Sequence, residues 1–194
     1  PAWPQDVLIE AEGGILVDAD SGTVLYGKNI HQRYYPASIT KILTALIVIE
    51  RCKLDDTITF SYDAVHNVES GSTSAGYGVG DKITVREALY ALLLRSANEV
   101  ANALAEHCAG SREAFARLMN EKAASLGCKE SHFTNPSGLN DENHYTTAYD
   151  YSLIAMAAFK NPTFVEFDST TYYELPPNSA NAEPFTIYCG HKML

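Results

Sequence analysis

Apolar and polar positions along the chain fall into a short opening hairpin and then a series of helices. The apolar run Ile15-Leu16-Val17 ends on Asp18, and Ala19-Asp20-Ser21-Gly22 supplies turn residues. Thr23-Val24-Leu25-Tyr26 then resumes an extended pattern, so the segment predicts a β-hairpin. His31 to Ala37 is irregular and carries Pro36, which is tolerated just ahead of a helix. From Ser38 to about Arg51, Ile42, Leu43, Leu46, Ile47 and Ile49 are apolar on most sides of a helical wheel. That distribution predicts a buried central helix.

Leu54 to Gly80 has no helical period; Thr57 to Phe60 fits a short strand, and Glu69 to Gly76 is a loop long enough to be functional. Thr84-Val85-Arg86-Glu87 fits a capping box and opens a helix to Leu94, ending at Arg95. After a break at Ser96-Ala97-Asn98, a second helix runs from about Glu99 to Cys108 and stops at Gly110. Ser111 caps a third, Arg112 to Leu126, closed by Gly127. Asn135-Pro136-Ser137-Gly138 is a turn. Thr146 or Thr147 caps a helix that reaches Phe159, and a short helix or turn follows Asn161-Pro162. Thr171 to Leu175 is extended and Pro176-Pro177-Asn178 a loop. The hairpin has an apolar face but no evident further strands to pair with, and two strands alone are marginal.

Composition narrows the function classes. A hydrophobic share of 46% allows a real core in a chain of 194 residues, enough for one domain or one and part of another. The formal net charge of -10 repels phosphate backbones, which argues against a nucleic-acid partner. No apolar run reaches membrane-spanning length; the longest, Ile42 to Ile49, is interrupted by Thr44. The start at Pro1, with no signal-like segment, fits a mature or trimmed product. Cys52, Cys108, Cys128 and Cys189 form no C-x-x-C pair and read as separate small thiols. Cys108 and Cys128 end successive helices, so antiparallel packing would hold them apart and no disulfide between them is expected. His31, His66, His107, His132, His144 and His191 lack metal-ligand spacing and read as structural or surface residues, so neither a metal nor a cofactor is expected.

Two short elements carry candidate chemistry. In Ser38-Ile39-Thr40-Lys41, residues three apart on a helix share a face, so Lys41 can reach the Ser38 hydroxyl. Ser38 opens the helix, where free N–H groups and the macrodipole favour developing negative charge. A lysine in apolar surroundings deprotonates more easily and can act as a base for a serine nucleophile. Taken alone, the same four residues read first as an N-cap serine and a surface lysine. In Ser96-Ala97-Asn98, side chains two apart in a looped segment point the same way and present a hydroxyl and an amide to one cleft. Alone, that element reads first as a helix break with Asn98 as N-cap.

The pair, in this order, matches the Ser-x-x-Lys and Ser-x-Asn elements of β-lactamases and penicillin-binding proteins. The surroundings extend the match. They include Ile15-Leu16-Val17-Asp18 with Ser21 to Tyr26, Tyr35-Pro36-Ala37 before Ser38, and Gly80-Asp81 ahead of Thr84-Val85. They continue through Glu99-Val100-Ala101, Phe115, Met119-Asn120, Leu126-Gly127 and Phe133-Thr134-Asn135-Pro136-Ser137-Gly138-Leu139. Over roughly residues 11 to 155 the chain resembles the D-alanyl-D-alanine carboxypeptidases, the low-molecular-mass penicillin-binding proteins.

The resemblance implies an α/β (α+β) fold of the DD-peptidase and β-lactamase type: a helical subdomain against an antiparallel sheet, with Ser38 at the cleft between them. It implies that Ser38 is acylated by the penultimate D-alanine carbonyl of a peptidoglycan stem peptide, and by β-lactams that mimic it. Lys41 would take the Ser38 proton, Ser96 would relay a proton to the leaving amine, and Asn98 would hold the substrate amide. The Ser38 N–H would be one oxyanion donor, and the setting would be extracytoplasmic, secreted or membrane-associated.

Two departures stand out. Glu99 replaces the family's usual Asp. The family's third motif, Lys-Thr-Gly, does not occur: Lys192 is followed by Met193 and Leu194. The sheet is therefore expected to be incomplete, with residues 1–194 a partial catalytic domain and the remaining strands cut off or on another chain. Two other readings compete. A class A β-lactamase would need an acidic loop residue for deacylation, and neither Glu130 nor Glu142 has an Asn four positions on. A non-catalytic, penicillin-recognising fragment would bind without releasing D-alanine.

Overall fold

The computed structural model describes residues 9–190; His191 and the Lys192-Met193-Leu194 end, both weighed above, lie outside the described residues. Strands β1 (Gly14–Val17) and β2 (Val24–Lys28) form the expected antiparallel hairpin, with Leu16 opposite Tyr26 and a bulge before Val17. Its turn is built by Asp18, whose carboxylate accepts from both the N–H and the hydroxyl of Ser21 at 2.7 Å. Among the described residues this hairpin pairs with no other strand.

Among the described residues there are three more two-stranded antiparallel pieces. Strand β3 (Arg33–Tyr34) pairs with β6 (Thr146–Thr147), β4 (Thr57–Thr59) with β5 (Lys82–Thr84), and β7 (Tyr172–Leu175) with β8 (Phe185–Tyr188). The fold is thus α+β as expected, but its β structure is four small ladders in place of one partial sheet.

The helical body is laid around α1 (Thr40–Arg51). Helices α3 (Val85–Arg95), α4 (Asn98–Ala109), α5 (Arg112–Ser125), α6 (Ala148–Phe159) and α7 (Pro162–Asp168) all pack on it. Leu43, Leu46 and Ile47 of α1 are fully buried among Leu89, Leu104 and Phe115, stabilising the fold by roughly 1.5–3 kcal/mol per side chain. The caps read from sequence are in place. Thr84 and Glu87 exchange both bonds of a capping box, Ser111 accepts from the Ala114 N–H, and Thr147 accepts from the Asp150 N–H. Gly110 ends α4 with φ +85°, a conformation glycine adopts without a steric penalty.

One expectation is corrected. The stretch read as lacking helix contains α2 (Tyr62–His66), a single turn capped by Ser61. Five residues are too few to show a 3.6 period. No helix among the described residues is long and apolar enough to cross a membrane.

Candidate active site

Ser38 lies in a single 3-10 turn, Ala37–Ile39, which feeds directly into α1. The sequence reading placed Ser38 in the first turn of the α-helix itself; the tighter turn intervenes because Ala37 takes a left-handed φ of +49°. Side chains three apart nearly eclipse in such a turn, so Lys41 still sits behind Ser38. Ser38 is exposed and Lys41 is only 3% exposed. The Lys41 ammonium donates to Ser38 Oγ at 3.3 Å and to the Ser137 carbonyl at 2.6 Å.

The Ser137 carbonyl is held in place by its own turn. Asn135 Oδ1 accepts from the N–H groups of Gly138 and Leu139 at 2.8 and 2.9 Å, and its amide donates back to the Leu139 carbonyl at 2.9 Å. The Pro136 carbonyl accepts from the buried Thr44 hydroxyl at 2.7 Å, so two carbonyls of the turn grip α1 one turn apart. Gly138 has φ +87° and lies against the nucleophile turn; a Cβ there would stand 1.9 Å from the Ala37 carbonyl oxygen.

Beneath Thr40, His144 completes the packing. Its Nδ1 accepts from the Thr134 N–H at 3.0 Å, which leaves the proton on Nε2 to donate to Thr40 Oγ1 at 2.9 Å. Burial pushes the imidazole down to about 4, so it stays neutral near pH 7. The Tyr151 hydroxyl donates to the Ile39 carbonyl. Sequence reasoning identified the Asn135–Gly138 turn but not that it clamps Lys41, and it read His144 only as structural or surface.

Burial lowers Lys41 to about 8, against an opposing pull from the Glu99 carboxylate. Near neutral pH about a tenth of such amines are uncharged, and a neutral amine can accept the Ser38 proton. Glu99, 3% exposed in the first turn of α4, also anchors the loop before β5. Its Oε1 accepts from the Ser74 hydroxyl at 2.8 Å and the N–H groups of Ala75 and Gly76 at 2.7 and 3.2 Å. Replacing Glu99 by Gln removes the charge that favours the Lys41 ammonium, so the Lys41 pKa falls further. Ser38 acylation, followed as rate against pH, is then expected to reach half its plateau at lower pH than in the parent, whose midpoint should fall near pH 8. A midpoint that stays put or rises would contradict this electrostatic coupling.

Ser96 and Asn98 sit at the joint between α3 and α4, both half-buried. Ser96 ends α3 in the left-handed region, with φ +58°. Asn98 is the first residue of α4 and not its N-cap, which is Ala97; the Asn98 N–H donates to the Thr73 carbonyl at 3.0 Å. Among the described residues no hydrogen bond links either side chain to Ser38 or Lys41; Glu99 is what ties this joint to Lys41 electrostatically. The Ser74–Gly76 segment and Arg95 line a cavity of about 570 Å³ with β8, a cavity whose lining includes neither Ser38 nor Lys41.

Of the two glutamates considered for deacylation, Glu130 pairs with His31 on the surface at 2.6 Å. A Glu-x-x-x-Asn spacing does occur, at Glu174 and Asn178. Glu174 is exposed on β7 and the Asn178 amide donates to the Ala75 carbonyl at 3.0 Å, so neither bonds to Ser38 or Lys41.

An exposed serine on a tight turn, backed by a buried lysine of lowered basicity within an α+β core, defines the active-serine Ser-x-x-Lys class. The chain belongs to the D-alanyl-D-alanine carboxypeptidase family, whose sequence profile matches residues 2–183. It is 37% identical over 166 residues to the D-alanyl-D-alanine carboxypeptidase DacF of Bacillus subtilis, covering 83% of this chain and 42% of that one. It is 36% identical over 179 residues to DacB2 of Mycobacterium tuberculosis, covering 91% of this chain and 60% of that one. The fold is similar to the crystal structure of a D-alanyl-D-alanine carboxypeptidase from Mycobacterium tuberculosis, with a TM-score of 0.88 at 30% identity over 99% of this chain and 72% of that one. The Streptomyces K15 DD-transpeptidase gives the same TM-score at 30% identity over 96% of this chain and 76% of that one. The chain spans about half the length of the curated relatives it matches.

Proposed function

We propose that the protein is a serine-type D-alanyl-D-alanine carboxypeptidase that removes the terminal D-alanine of peptidoglycan stem peptides. The observation that carries this reading is the 3.3 Å contact between the exposed Ser38 hydroxyl and the buried Lys41 amine, whose pKa of about 8 suits a general base. The neutral Lys41 amine takes the Ser38 proton as Oγ attacks the penultimate D-alanine carbonyl. The Ser38 N–H stabilises the oxyanion. Ser96 passes a proton to the leaving D-alanine amine, Asn98 holds the substrate amide, and water then hydrolyses the acyl-Ser38 ester.

On this reading residues 1–194 are part of a catalytic domain whose Lys-Thr-Gly strand lies in the remaining length of the family. Family membership and the chain's 42–60% coverage of its relatives support this division. The substrate places the enzyme outside the cytoplasm, and β-lactams are its expected inhibitors.

Intact-protein mass after incubation with benzylpenicillin tests the reading, on Pro1–Leu194 and on the chain extended to the family's full length. The expected result is one covalent adduct on Ser38 of the extended chain, absent from its Ser38→Ala variant. An adduct that survives in Ser38→Ala, or no adduct on the extended chain, overturns it.

A further inference from the structure

The sequence reading took the four cysteines as separate thiols, but the fold brings two of them together. Cys52 caps the C-terminus of α1 and Cys108 lies in the last turn of α4, 56 residues further along the chain. The two helices pack on each other, and an ion pair beyond Cys52 bridges their C-terminal ends. Beyond Cys52 the chain turns back, with the Asp56 N–H donating to the Lys53 carbonyl at 3.1 Å. The Asp56 carboxylate then reaches Nε2 of His107, the neighbour of Cys108, at 3.7 Å. Across this joint the two thiols come close enough to act on each other, Cys52 lowering the pKa of Cys108. Both side chains lie half-buried against the edge of the core. The other two thiols are placed apart: Cys128 donates to the Asp150 carbonyl at 3.3 Å, and Cys189 follows β8.

We propose that Cys52 and Cys108 are a redox pair that closes to a disulfide, stapling the helix that carries Lys41 to the helix that begins with Asn98. Cys108 is the nucleophile of the pair. Its neighbours Cys52 and Arg51 both hold its pKa below the ordinary thiol value and so favour its thiolate. The thiolate attacks an oxidant, either a sulfur of a partner protein's disulfide or a nitrogen of an azo compound such as diamide. The Cys52 sulfur then displaces that oxidant from Cys108 and the S–S bond forms. Two thiol protons and two electrons leave with the oxidant, which becomes a dithiol or a hydrazine. Cys128 is a poor competitor, because burial pushes its thiol up to about 12.

Closing this loop removes freedom from the unfolded chain, so the oxidised form should be the more heat-stable. The test is stoichiometric diamide on the folded chain, read by intact mass and by peptide mapping without reduction. A loss of about 2 Da, with Cys52 and Cys108 in one linked peptide, is expected. The thermal midpoint should rise by about 5–10 °C and return with dithiothreitol. Cys52→Ser and Cys108→Ser should each abolish the mass loss. A native protein that keeps its full mass while urea-unfolded protein loses it would overturn the pairing. So would a linkage mapped to Cys128 or Cys189.

Discussion

Exchanging Lys41 for methionine should slow benzylpenicillin acylation of Ser38 by about 10²–10⁴-fold, the usual contribution of a positioned base. The two outcomes of this substitution separate chemistry from folding. In the folded protein the Lys41 pKa is lowered from 10.5 to about 8, so holding its ammonium in the interior is unfavourable at neutral pH. That cost is about 3 kcal/mol at pH 7 and fades as pH rises from 8 through 10.5, where the unfolded chain also gives up the proton. Methionine removes the cost but leaves the Ser137 carbonyl unpaired, a loss of about 1–3 kcal/mol. The two nearly cancel. Stability by denaturant titration should therefore change little at pH 7 while the acylation rate collapses. Arginine should fare no better than methionine, because a guanidinium does not deprotonate at these pH values. A methionine variant acylated within tenfold of the parent rate would remove Lys41 from the mechanism.

The second large effect is expected from Gly138→Ala. The new Cβ would meet the Ala37 carbonyl oxygen at 1.9 Å, and the atoms it meets are backbone, so no side chain can swing aside. The φ of +87° adds strain of its own for any residue with a Cβ. A destabilisation of about 2–4 kcal/mol should result. The turn that yields is the one presenting Ser38, and a displacement near 1 Å at a reacting group costs about 10²-fold in rate. Gly80→Ala is the matched control. It has φ +89° and open space where the Cβ would go, so it should cost about 1–2 kcal/mol and leave acylation unchanged. Equal losses of acylation in the two variants would show that the close approach to Ala37 is irrelevant.

What the sequence disclosed and what it withheld divide along chain distance. The β1–β2 hairpin, the buried α1, the Thr84 capping box and the Ser111 and Thr147 caps are each written within a few residues, and each stands where the pattern placed it. Ser-x-x-Lys was equally local, since one helical turn is enough to bring Lys41 to Ser38. The remainder depends on partners far away. Strand β3 exists because Arg33 meets Thr147, and two residues carry no alternation to read. The carbonyl clamp on Lys41 and the His144 bond to Thr40 join residues 96 and 104 apart. The meeting of Cys52 with Cys108 follows from how α1 and α4 are laid together, which no spacing of cysteines encodes. The family resemblance supplied roles for Ser96 and Asn98, whereas the tie between Glu99 and the Ser74–Gly76 loop is visible only in three dimensions.

The distance between Lys41 and its clamp also fixes when reactivity can arise. During synthesis the Ser38–Lys41 helix leaves the ribosome long before Ser137 and His144 are made. Until they arrive, the lysine is hydrated and keeps an ordinary, high basicity, and the serine has no partner to activate it. On the proposed mechanism a nascent chain is expected to stay unreactive toward acylating agents even with Ser38 and Lys41 exposed. Closing of the 135–139 turn over the helix is the step that brings the Ser137 carbonyl to Lys41.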